Sequence, residues 1–220
     1  MKDLRVAIIG AGLGGIVAAI AMRRAGFRAT VYEQARAFGD VGAGIQLGPN
    51  AMKVLRALEL EDGVTRFGAM PEHHVGRSWR SGRVLFKSAT RKACLERFGA
   101  PFYQVQRADL HAYLRGALPA DAIQLDKRCV GIHATRNAVL LRFEDQSEAE
   151  CDVLVGADGI HSTVRGMLSD RKRRASPGSS AGAARWTRPA CPLVSSRRTP
   201  STGWVLVAAS CITTCGQAGS

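Results

Sequence analysis

Residues 4–33 read LRVAIIGAGLGGIVAAIAMRRAGFRATVYE. The apolar run 4–9 stops at Gly10, as a buried parallel strand does. Small and aliphatic residues over 14–25 have helical character, and Gly26 follows as a helix C′ residue. Residues 27–33 read as a second strand. Between strand and helix, Gly10, Gly12 and Gly15 complete a GxGxxG. One glycine serves the tight turn, one lets backbone approach a pyrophosphate, and one lets helix and strand pack closely. The helix that follows presents free N–H groups and a positive dipole end to phosphates. Glu33, at the end of the second strand, can accept bonds from a ribose hydroxyl pair and would repel a 2′-phosphate. A lone GxGxxG is weak, but strand, glycines, helix and acid all agree here on a dinucleotide-binding βαβ unit.

Outward from that unit, Pro49 and Asn50 start a helix expected to run through about Leu60, with Met52, Leu55, Leu58 and Leu60 apolar. Residues 73–88 look like strands around a turn at Ser81 and Gly82. A helix is expected over 108–118, with Asp109 near its N-terminus, where the macrodipole favours an anion. The runs AIQL, CVGIHA and AVLLRF between 122 and 143 alternate as short strands, and Glu144, Asp145 and Gln146 form the turn out of them. Residues 151–155 are a buried strand leading into GADG at 156–159, followed by a short helix to about Leu168. After Asp170 periodicity fails, and that tail is expected to be irregular.

Four runs of the sequence are informative together: GAGLGG at 10–15 with Glu33 and Gln34, GAGIQLGPNA at 42–51, QRADL at 106–110, and GADGIHSTVR at 156–165. In this order and spacing they resemble the flavoprotein aromatic hydroxylases, single-component monooxygenases of the para-hydroxybenzoate and salicylate hydroxylase type. The resemblance covers about residues 4–168. It implies an α/β, Rossmann-like FAD-binding domain interrupted by part of a second, substrate-side β-sheet at about 70–100. The implied domain is 1–169, incomplete, with 170–220 a disordered tail.

The resemblance also assigns roles. Gly12, Leu13 and Gly14 would lie against the FAD pyrophosphate, with Gly10 and Gly15 shaping the turn. Glu33 would take the adenosine ribose, with Gln34 beside it. Gly44, Ile45 and Gln46 would run beside the flavin; some relatives carry a catalytic His at the Gln46 position, but Gln cannot act as a base, so contact alone is expected. Arg107 would reach the phosphate–ribitol region, Cys129 would contact adenine through its backbone, and Asp158 with Gly159 would form a second fingerprint, associated with FAD and the nicotinamide coenzyme. The implied reaction reduces FAD with NADH or NADPH and transfers one oxygen atom of O2 to the ring of a small aromatic acid. No catalytic residue is identified. By residue type alone, Arg107 at a helix start reads as surface, Cys129 as a buried strand cysteine, and Asp158-Gly159 as a turn. His73, His74, His111 and His161 read as ordinary polar histidines, and no metal-ligand spacing appears.

Composition bounds the rest. With 46% hydrophobic and 22% charged residues the chain is of ordinary globular type. No apolar run reaches the length of a membrane span. The first residues run straight into a strand, which is read as leaving no room for a signal peptide. Six cysteines without CxxC spacing point to reduced thiols in a cytoplasmic protein.

The net charge of +13 is mostly a property of the last fifty residues, which hold eight Lys or Arg and no acid; the first 170 carry 23 basic against 18 acidic residues. That argues against a nucleic-acid partner. A mildly basic body could attract an anionic aromatic acid or a phosphate-bearing cofactor, but solvated surface charge is the favoured account. The tail also permits a second reading: codons able to encode 203–219 permit, one frame away, LGPGRRIVHYYVRAG, which resembles what the family carries after its Asp-Gly motif. The expectation is a frameshift near 166–171 and a truncated, inactive hydroxylase. The rival functions are an epoxidase-like flavin oxidoreductase of the same fold, and a non-catalytic nucleotide-binding fragment using the basic tail.

Overall fold

The computed structural model describes residues 4–39, 44–78 and 80–168, together with the backbone of two short strands at 195–198 and 204–207. The chain divides into two compact units, Met1–Phe38 with Leu118–Ser220, and Gly39–Ala117. Along the chain, the first unit opens with β1 (Arg5–Ile9), α1 (Leu13–Arg24) and β2 (Arg28–Tyr32). The second unit carries β3 (Gly44–Leu47), α2 (Pro49–Ala57), α3 (Glu61–Phe67), β4 (His74–Arg77), β5 (Val84–Ser88), α4 (Thr90–Phe98), β6 (Tyr103–Gln106) and α5 (Arg107–Gly116). The first unit resumes with β7 (Ile123–Gln124), β8 (Cys129–Ala134), β9 (Val139–Phe143), β10 (Glu148–Cys151), β11 (Val153–Gly156), α6 (Thr163–Leu168), β12 (Ser195–Arg198) and β13 (Trp204–Val207).

The first unit is built on a six-stranded sheet of order β12-β13-β11-β1-β2-β7. β1 pairs in parallel with both β2 and β11, which buries Val6, Ala7, Ile8 and Ile9 on both faces. That is why 4–9 is a continuous apolar run rather than an alternating one. α1 closes against the sheet through Ile16, Ala19 and Ile20, and its last turn carries Arg23 and Arg24, the sign its dipole prefers.

A three-stranded antiparallel sheet, β10-β9-β8, forms a second layer. Its Val139, Leu141 and Phe143 bury against Ala7, Ile9, Tyr32 and Leu154 in one cluster. Burial of each such aliphatic or aromatic side chain stabilises by about 1.5–3 kcal/mol. The Phe143 ring lies 4.8 Å from that of Tyr32, so the two layers meet through an aromatic pair.

In the second unit, β3 pairs antiparallel with β6, and β4 with β5. Met52, Leu55, Val64, Leu110 and Leu114 are buried there, and the Tyr113 hydroxyl donates to the Leu60 carbonyl at 3.1 Å.

The structure corrects several sequence expectations. The single helix expected from 49 to 60 breaks after Ala57. Glu59 takes φ +50, its N–H reaches the Arg56 carbonyl, and the Leu60 N–H reaches that of Leu55. This is a Schellman ending made without glycine, so its usual sequence signal was missing. α3, α4, β3, β6 and β10 have no reading of their own in the sequence. α4 buries only Cys94 and so shows no apolar stripe to detect. Within the tail expected to be irregular, β12 and β13 are described, and β13 (WVLV) extends the parallel sheet beside β11. Its apolar run of Trp, Leu and two Val residues suits a strand. The rest of the tail, including residues 169–171 of the stretch near 166–171 where the frameshift is expected, lies outside the described residues.

Candidate cofactor site

A cleft of about 390 Å³ opens in the first unit at the ends of β1, β2 and β11. The turn after β1 is its floor. The Gly10 N–H donates to the Tyr32 carbonyl at 2.8 Å, and the Ala157 N–H to the Ile9 carbonyl at 2.8 Å. Gly10 sits at φ +104, and a Cβ there would lie 2.6 Å from the Ala157 oxygen. A Cβ on Gly15 would lie 1.9 Å from the Gly10 oxygen. These two glycines therefore allow helix, turn and sheet to close on one another. At Gly12 and Gly14 a Cβ would meet no protein atom within 4 Å, so their backbone faces open space. Gly12 caps α1 without any side-chain bond, and no acid stands in the first helical turn. Unclaimed N–H groups and the positive dipole end suit a pyrophosphate.

Glu33 is locked beside this turn. One carboxylate oxygen accepts the Ala11 N–H at 2.7 Å and the other the Ala35 N–H at 3.0 Å. An ionised carboxylate offers roughly four acceptor positions, so each oxygen keeps capacity for a ribose hydroxyl. Gln34 lines the cleft next to it.

The opposite wall comes from Lys127, Arg128 and Cys129. The Cys129 thiol is buried and donates to the Gly131 carbonyl at 3.6 Å; burial pushes its pKa up. That leaves the thiol inert and suits a role for the backbone only. Asp158 and Gly159 line the third side. The Asp158 carboxylate caps α6, accepting the Ser162 hydroxyl at 2.6 Å and the Thr163 and Val164 N–H groups at 2.6 and 3.1 Å. These bonds thus hold the loop that forms the wall. Gly159, at φ +78, turns the chain there.

The remaining candidates belong to the second unit. Gly44, Ile45 and Gln46 lie in β3, paired with Gln106, Val105 and Gln104. Arg107 starts α5 directly after β6. The two motifs at 42–51 and 106–110 thus meet across one strand pair, although nothing in the sequence between them pointed to that pairing. Of the cleft residues, Ile9, Tyr32, Lys127, Arg128, Ala157, His161 and Thr163 were not singled out as site residues. His161 reads from the sequence as an ordinary polar histidine, yet it lines the cleft; its place after the Asp-Gly turn is the one available hint.

A family model described as an FAD binding domain matches residues 3–200. The chain belongs to this FAD-binding family. It is 42% identical over 164 residues to 6-hydroxynicotinate 3-monooxygenase of Bordetella bronchiseptica, covering 74% of this chain and 43% of that one. It is likewise 42% identical over 170 residues to 3-amino-4-hydroxybenzoate 2-monooxygenase PtnB3 of Streptomyces platensis, covering 77% and 43%. Among solved structures, Klebsiella pneumoniae HpxO complexed with FAD and uric acid is 30% identical with a TM-score of 0.68, over 74% of this chain and 41% of that one. The chain spans less than half the length of the curated relatives it matches. The cleft fits the cofactor of the family: open glycine backbone at a helix start for the diphosphate, and a fixed carboxylate for the ribose. Among the described residues no group of three His, Cys, Asp or Glu could hold a metal, and no helix is long and apolar enough to cross a membrane.

Proposed function

We propose that this chain is the FAD-binding part of a monooxygenase that hydroxylates a small aromatic or heteroaromatic acid, using NADH or NADPH and O2. The observation that carries the reading is the cleft itself, where the open backbone of Gly12 stands beside a Glu33 carboxylate held by two N–H bonds. In it Gly12, Leu13 and Gly14 would hold the diphosphate, Glu33 and Gln34 the adenosine ribose, and the Cys129 backbone the adenine. Gly10 and Gly15 shape the turn, and Asp158 with Gly159 the wall. In the second unit Gly44, Ile45, Gln46 and Arg107 would serve the flavin and its ribitol phosphate, while β4–β5 would form part of the substrate-side sheet. When bound, FAD supplies the redox chemistry and oxygen transfer, and the protein binds and orients it.

The substrate class follows from relatives whose names specify hydroxynicotinate and aminohydroxybenzoate. The proposal therefore covers hydroxylated aromatic acids generally rather than salicylate in particular. Residues 170–220 are proposed to be read out of frame, which resequencing of the gene decides. Titration of the purified 220-residue chain with FAD, followed by flavin fluorescence, tests the binding reading. Weak, saturable quenching is expected, with no NADH oxidation stimulated by hydroxynicotinate or hydroxybenzoates. Absence of any quenching overturns the cofactor assignment, and substrate-stimulated NADH oxidation overturns the view that this chain alone is inactive.

A further inference from the structure

The wall opposite the glycine turn contains an ammonium whose position bears on Glu33. Lys127 and Glu33 line the same cleft, and the Lys127 backbone N–H donates to the Glu33 carbonyl at 2.8 Å, so the two residues are neighbours. A free ammonium beside Glu33 would pair with it and compete with a ribose for its oxygens. The ammonium is held elsewhere. It donates to Asp145 Oδ2 at 2.5 Å and to Ser147 Oγ at 2.8 Å, and lies 5.7 Å from the centre of the Phe143 ring.

Asp145 is itself fixed, its other oxygen accepting the Ser147 N–H at 3.0 Å and hydroxyl at 2.6 Å. The turn that carries it is joined to the cleft wall by the Glu144 N–H, which donates to the Arg128 carbonyl at 2.9 Å. Of the other carboxylates nearby, Asp158 is committed to three donors of the α6 start, and Glu144 faces Arg128 at 3.4 Å. Asp126, one residue before Lys127, faces Arg36 at 3.4 Å, which leaves Glu33 as an acceptor on the same cleft for a released Lys127.

We propose that Asp145 is a positioning residue for the adenosine end of the cofactor, holding the Lys127 ammonium away from Glu33 so that the Glu33 carboxylate stays open to a ribose diol. This rests on the FAD reading of the cleft.

The test is a double-mutant cycle on the full chain, with Asp145→Asn, Lys127→Gln and the double variant titrated with ADP by calorimetry and with FAD by fluorescence. Asp145→Asn is expected to raise both dissociation constants about ten- to a hundredfold, the loss of roughly one hydrogen bond to a charged group. Removing the released cation should reverse this, so the double variant returns to within about twofold of wild type. An unchanged Asp145→Asn overturns the proposal. So does a double variant as weak as the single one, with circular dichroism matching wild type, because Asp145 would then be only a tether for the turn. Lys127→Gln alone should weaken ADP binding less than Asp145→Asn does; a loss as large or larger would make Lys127 itself a ligand and overturn the proposal, and this arm stands even if Asp145→Asn fails to fold. Wild-type protein that binds neither ADP nor FAD overturns the cofactor reading and this inference with it.

Discussion

At the scale of single residues, Gly15 is the strictest position in the glycine turn. Its missing Cβ would overlap the Gly10 carbonyl, which is backbone and cannot rotate away. Gly15→Ala must push α1 off the sheet, and is expected to cost about 2 kcal/mol or more, the range of overpacked cores. Urea unfolding followed by circular dichroism measures it. Gly12→Ala, by contrast, meets no protein atom within 4 Å. It should leave stability within about 1 kcal/mol while weakening FAD binding. The glycine turn and the place of Glu33 at the end of β2 were legible from sequence because they depend on turn chemistry between residues close along the chain. Lys127 and Tyr32 carried no such signal, since their use depends on which strand returns to stand beside β2.

At the scale of elements, two devices hold the site's walls. The hairpin between β9 and β10 turns through Gln146 at φ +65, a region costly for residues with a side chain. Gln146→Gly is expected to stabilise by about 0.5 kcal/mol, strain relief less the added freedom of the unfolded chain, and thermal unfolding checks it.

The other device is charge pairing. Lys127 and Ser147 hold the Asp145 carboxyl down at about 2, and Arg5 holds Asp152 below the usual carboxylate range. Arg5 joins the start of β1 to the start of β11 by bonds to Asp152 at 2.7, 3.0 and 3.3 Å. Both carboxyls have folded values below their unfolded ones. Their contribution is therefore complete above the ordinary carboxylate range and is lost as pH falls from about 4 towards 2. The midpoint of thermal unfolding should drop across that window, and Asp152→Asn should flatten the drop. Sequence periodicity located these strands and the 144–146 turn, but it could not pair Arg5 with Asp152, which requires β1 and β11 to be parallel neighbours.

At the scale of the whole molecule, the second unit leaves apolar surface uncovered. Val84, Leu85 and Phe86 of β5 are all exposed, Leu85 by 63%, and Leu95 and Phe98 of α4 are exposed as well. Among the described residues β4 and β5 pair only with each other, a two-stranded sheet with open edges. The 220-residue chain is therefore expected to self-associate, and Leu85→Lys with Phe86→Lys should reduce light scattering at a given concentration without changing ADP affinity.

The sequence by itself determined the βαβ unit, its glycine turn, Glu33 and the Asp-Gly turn after β11, and these together with the runs at 42–51 and 106–110 carried the resemblance to an FAD-binding family. Those features are local: a strand, a turn and a helix start suffice to define each one. Only the tertiary structure decided that β7 and the segment after it return beside β2 to place Lys127, Arg128 and Cys129 on the cleft. It also decided that Asp158 is spent on capping α6, and that Asp145 holds the Lys127 ammonium. Hydrogen-bond partners distant along the chain are selected by which strands become neighbours, and that choice is made by burial of the whole core.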